Sequence, residues 1–170
     1  DPFVMHNRDC HDCDAADPKK KTYTKAEAVK RLVALSKEAA STPAKAAEDY
    51  FLLGTGLYNL SAYGNAAEMY MTEDYHFRRS PPTYDNSRAE GFFKQAIAAS
   101  KDKEFQARAT FMAAKCELNT WFTKNPDHKV DFKAPSYFKA LQEQYGSTQY
   151  YKEILKECGY FQSYVNQHKR

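Results

Sequence analysis

At 170 residues, with 42% hydrophobic and 28% charged residues, the chain has the composition of a folded globular domain with one well-buried core. Its formal net charge of +3 is spread over interleaved Lys, Arg, Asp and Glu, which excludes the basic stripe of a nucleic-acid binder. No apolar run approaches the ~20 residues that span a bilayer.

Starting at Asp1 without an initiator Met or a signal segment, the chain is expected to be a processed form or part of a longer protein. Residues 1–21 read as an irregular arm, because Pro2, the spaced Asp9, Asp12, Asp14 and Asp17, Pro18 and the Lys19–Lys21 run carry no helical period. Thr22 or Thr24 then caps a helix to about Ala40, with Ala28, Leu32, Leu35 and Ala39 on one face. Ser41, Thr42 and Pro43 end it and open a second helix from Ala44 to about Ala62.

Within that second helix, Tyr50, Leu53 and Leu57 share a face, and Gly54 beside Leu53 leaves a flat spot for a close neighbour. Asn65 to Glu73 is expected to supply that neighbour, with Tyr63 and Ala66 completing the order large, large, small. His76, Arg78, Arg79, Pro81, Pro82 and Asp85 mark a long loop. Further helices are predicted over 87–100 (Ala89, Phe93, Ala96 and Ile97 inward) and 103–122 (Phe105, Ala109, Met112, Ala113 and Cys116). A second loop covers 125–134. Pro135 opens a helix through Tyr145, and a last helix from Thr148 uses Tyr151, Ile154, Leu155, Cys158, Phe161 and Val165. Six or seven helices and no strand make the expected fold class all-α, with antiparallel neighbours over 22–170.

The Tyr50–Ala66 order resembles a tetratricopeptide-repeat hairpin, and Ala109–Cys116 resembles a second copy in which Met112-Ala113 replaces Leu53-Gly54. The resemblance covers roughly 45–165, with loops inserted into the regular period, and it implies an α-α superhelix whose gaps take up the 13 Tyr and 11 Phe. Its groove-facing positions would be Glu48, Phe51, Thr55, Tyr58 and Asn59 in the first unit, and Thr110, Ala114 and Glu117 in the second. Tyr58 offers a ring for contact with a protein or peptide partner, and Asn59 an amide for backbone hydrogen bonds. Phe51 and Tyr58 fit packing against the first helix equally well.

The Asp9-Cys10-His11-Asp12-Cys13-Asp14 run and Lys115-Cys116-Glu117 resemble the C-terminal region of uncharacterised secreted or periplasmic Bacteroidetes proteins. This implies an envelope location and a non-catalytic interaction or assembly role.

One constellation carries chemistry. His6, Cys10, His11 and Cys13 are four N or S ligands within eight residues, enough in type for a tetrahedral zinc. Cys10 and His11 are adjacent and aim poorly at one ion, so His76 or His128 is an alternative fourth ligand. A disulfide of Cys10 with Cys13 or another cysteine, a redox pair, and an arm with idle thiols fit the same residues. Cys116 and Cys158 fall on inward helix faces, as buried thiols do.

No Gly-rich phosphate loop and no Gly-x-Ser-x-Gly elbow is present. His76 with Asp74 would be the nearest thing to a general base, in what otherwise reads as a solvated insertion. Asn59-Leu60-Ser61 is a glycosylation sequon, but within a predicted helix. A metal-dependent protein using the Cys/His arm is the rival to the interaction scaffold.

Overall fold

The computed structural model describes residues 1–7, 21–70, 84–125 and 136–168. Among them the fold is all-α, with no strand: α1 (Lys25–Ser41), α2 (Ala46–Asn59), α3 (Ser87–Ala99), α4 (Lys103–Lys124), α5 (Ser136–Gln144), α6 (Gln149–Glu157) and α7 (Gly159–Gln167).

Local chemistry sets the helix starts. Thr24 closes a reciprocal box on α1: Glu27 N–H donates to its Oγ1 at 3.2 Å, and Thr24 N–H donates to Glu27 Oε2 at 2.8 Å. Asp102 caps α4 by accepting from Glu104 N–H, and Thr148 caps α6 by accepting from Tyr151 N–H. Each helix packs on the next from α1 through α5, while α6 lies against α4 and α7. The alternate helices α2, α4 and α6 also touch in turn, and so form one continuous row.

Three sequence expectations change. Asn65 to Glu73 does not form a helical partner for α2 within the described residues, which hold only a short 3-10 turn at Ala67–Tyr70. The partner is α3. Gly54 admits the Phe93 ring so closely that a Cβ there would stand 2.7 Å from Phe93 Cε1. Phe93 is fully buried by that approach, which stabilises the pair by roughly 1.5–3 kcal/mol relative to an exposed ring.

The last helix is two. Cys158 takes an extended conformation (φ −103°, ψ 103°) between α6 and α7, and Gly159 follows it. The redirected α7 brings Phe161 edge-on to Phe138 and Tyr151, at centroid separations of 5.0 and 5.3 Å. A straight continuation would have kept the hydropathy period but not that corner.

Helix α4 is buried on most of its surface, not on one face. From Ala107 to Cys116 only Arg108 is exposed. Its alanines let neighbours approach from several sides, which is how an apolar-all-round helix ends up at the centre. Two aromatic-rich clusters result: one around Phe111, Phe138 and Ile154, the other around Tyr58, Phe93 and Met112. Met5 packs against both, so the first residues of the chain sit at the seam of the core.

Candidate functional site

The row α2–α4–α6 carries residues 1–7 along its surface, and none of the seven is exposed. Pro2 is among the fully buried side chains. The segment opens with a turn, in which Val4 N–H donates to the Asp1 carbonyl, and continues without regular structure. Its backbone is held by side chains of the helices. Asn59 Nδ2, at the end of α2, donates to the Pro2 carbonyl at 2.9 Å and to the Val4 carbonyl at 2.8 Å. Lys115 Nζ, on α4, donates to the His6 carbonyl at 3.0 Å. The carbonyls of Pro2, Val4 and His6 thus all meet side-chain donors of the helices.

The far end is anchored by a side chain. Asn7 donates through Nδ2 to Glu153 Oε1 and Glu157 Oε2, at 2.9 and 2.8 Å, and accepts from the Tyr150 hydroxyl at 2.8 Å. All three partners lie on α6. Burial, reinforced by the charge of Glu153, pushes the Tyr150 phenol well above its usual range and keeps it a donor.

The supports of these donors come from the same helices. Tyr58 lies under Lys115, with the ammonium 4.9 Å from its ring centroid. Its hydroxyl accepts from Asn119 Nδ2 at 3.1 Å. Asn59 is set by the bend that follows it: Ala66 N–H donates to the Asn59 carbonyl at 2.8 Å, and Gly64 lies so close that a Cβ would collide with the Asn59 backbone. Gly56 makes room for the occupant, since a Cβ there would stand 2.9 Å from both Phe3 Cε1 and Leu32 Cδ2.

The residues singled out in the sequence are placed as follows. Asn59 and Tyr58 belong to the seat of residues 1–7, both buried. Phe51 packs between Phe93 and Phe105, with centroids at 5.7 and 5.4 Å. Thr55 is wholly buried, its hydroxyl without a hydrogen-bond partner. Glu117 accepts from Ser136 Oγ and Tyr137 N–H, and so caps the start of α5. Glu48 is exposed, Thr110 bonds back to the Gln106 carbonyl, and Ala114 is in the core.

Of the metal candidates, His6 gives its carbonyl to Lys115 and has Nε2 buried away from solvent. Cys10, His11 and Cys13, with His76, His128 and Asp74, lie outside the described residues. Among the described residues no group of three or more His, Cys, Asp or Glu side chains is placed to hold a metal. Cys116 and Cys158 are thiols, so no disulfide joins α4 to the α6–α7 corner. No described helix is long and apolar enough to cross a membrane.

Comparison with known proteins adds no assignment: no family model, no curated protein and no solved structure matches this chain. The geometry must therefore speak for itself. Asn7 and Tyr150 carried no binding expectation from the sequence, and Lys115 figured there only in the Lys115-Cys116-Glu117 resemblance. One signal for the site was available in Gly56, a second helical glycine that Phe93 does not explain.

Proposed function

We infer that the chain is a non-catalytic helical scaffold, of tetratricopeptide type, whose α2–α4–α6 row binds polypeptide as an interaction or assembly module. One observation carries this reading: Asn59 of α2 and Lys115 of α4 hold a stretch of main chain through three of its carbonyls, and α6 holds the Asn7 amide that follows. Hydrogen bonds to main chain are available from any sequence, whereas an enzyme site needs groups aimed at a reacting bond. The envelope location rests on the resemblance carried by the Cys/His run.

The test is a fluorescence-anisotropy titration of the full chain with a labelled peptide having the sequence of residues 1–7. It is run on wild type, on Phe3→Gly/Met5→Gly, whose own segment is loosened, and on Asn59→Leu/Lys115→Met. Saturable binding by either of the first two, lost in the third while its circular dichroism stays helical, supports the reading. Failure of both wild type and the loosened chain to bind at millimolar peptide overturns it.

A further inference from the structure

We propose that residues 1–7 are an intramolecular ligand, which a partner's peptide segment must displace to reach the donors of Asn59, Lys115 and Tyr150. The inference rests on the reading above and adds what the ligand is and what regulates its entry. Three features of the contact carry it. The helices address the segment chiefly through the carbonyls of Pro2, Val4 and His6, which any peptide carries. Side chains add apolar contacts, with Pro2 fully buried, Phe3 seated against Gly56 and Met5 meeting both core clusters, and an amide where Asn7 meets α6. The amide of Asn7 is read as donor and acceptor together, by two carboxylates and a phenol, so Asn or Gln fits there and Asp does not.

The ligand class is therefore a peptide with small and aromatic apolar residues where Pro2 and Phe3 lie, and an aliphatic or Met residue two positions before an amide side chain. Because the occupant is covalently attached, it competes at a fixed high effective concentration. A partner's apparent affinity is its intrinsic affinity multiplied by the fraction of time the groove is open, a loss of ~100-fold if that fraction is ~1%.

The anisotropy titration with the labelled 1–7 peptide, read as a ratio between two proteins, tests this. Phe3→Gly/Met5→Gly removes two contacts of the attached segment and no donor of the helices. It is expected to bind the labelled peptide at least ~10-fold more tightly than wild type does. A second measurement needs no variant: in ¹⁵N-labelled wild-type chain, saturating unlabelled peptide should move the Val4, Met5 and His6 amide resonances to random-coil positions. Equal affinities with those resonances unmoved would overturn the displacement while leaving a peptide-binding scaffold. Absence of binding in both proteins would overturn the scaffold reading as well. A peptide with Asn7→Asp that binds as well as its parent would overturn the assigned ligand class.

Discussion

The Lys115 ammonium lies over the Tyr58 ring, 4.9 Å from its centroid, and joins α4 to α2 at the point where the chain's first residues cross them. Lys115 is only 8% exposed, and its ammonium meets the ring and the His6 carbonyl 3.0 Å away. Lys115→Met keeps the stem and removes both interactions. The expected loss is about 1–2 kcal/mol, the charged hydrogen bond and the ring contact less the relieved burial of the charge. Urea denaturation reads it, and amide exchange at Val4 to Asn7 should quicken more than exchange in α3.

Gly54→Ala and Gly91→Ala should have opposite signs. At Gly54 the new Cβ meets Phe93 Cε1 at 2.7 Å, and Phe93 is fully buried with nowhere to retreat. A loss of about 1–3 kcal/mol is expected from overpacking. Gly91, in the middle of α3, has nothing within 4 Å of the new methyl, so Ala there should gain about 0.5–1 kcal/mol from helix propensity. Paired thermal melts decide both.

Glu104 of α4 holds the first turn of α6, accepting from Gln149 N–H at 2.6 Å and Tyr150 N–H at 2.9 Å. Glu104→Gln keeps one acceptor and removes the negative charge at a helix N-terminus, for an expected cost of about 1 kcal/mol. Because α6 carries Tyr150, Glu153 and Glu157, the same variant should also speed exchange at Asn7, a readout that a merely global loss would not single out.

Asp49 gives a pH test. It is buried on α2, with Oδ2 lacking a hydrogen-bond partner among the described residues, and desolvation holds its carboxyl above the usual range, helped by Glu38 and opposed by Arg31 and Lys45. The folded state therefore binds this proton more readily than the unfolded state. Its destabilising contribution is full above the folded pKa and fades as pH falls to the unfolded value. Asp49→Asn should be more stable than wild type at pH 7, with the gap closing as pH falls through the raised folded value to the ordinary Asp value. Glu27, lowered by the Thr24 backbone N–H, and Asp85, lowered by the Ser87 N–H, work the other way, but they are common to both proteins and cancel in the difference. Melts of the two chains across pH 3–7 measure it.

What could be read in advance was local. A cap at Thr24, one of the two threonines expected there, and the spacing of Ala28, Leu35 and Ala39 are short-range facts, and the structure has them in those roles. Gly54 announced a close approach without saying by what, since choosing α3 over residues 65–73 is a long-range decision. The corner at Cys158 was invisible because apolar residues continue in phase through it, and one residue's backbone angles leave no trace in hydropathy. At Asn59 the sequence offered an amide for backbone hydrogen bonds; that the backbone in reach belongs to residues 2 and 4 depends on how a whole segment lies. Pro2, Phe3, Val4 and Met5 are a short apolar run, too short for any period, and their burial is decided only by the seam between two clusters.

That seam has a mechanical side. Residues 1–7 run from Asn59 on α2, past Lys115 on α4, to Tyr150 on α6, tied at each end. They act as a bowstring across the row. With the string in place, the spacing of the outer two helices is fixed by a length of main chain. A segment of another length tied at the same points would set another spacing, so what fills the groove and how far apart α2 and α6 stand become one variable.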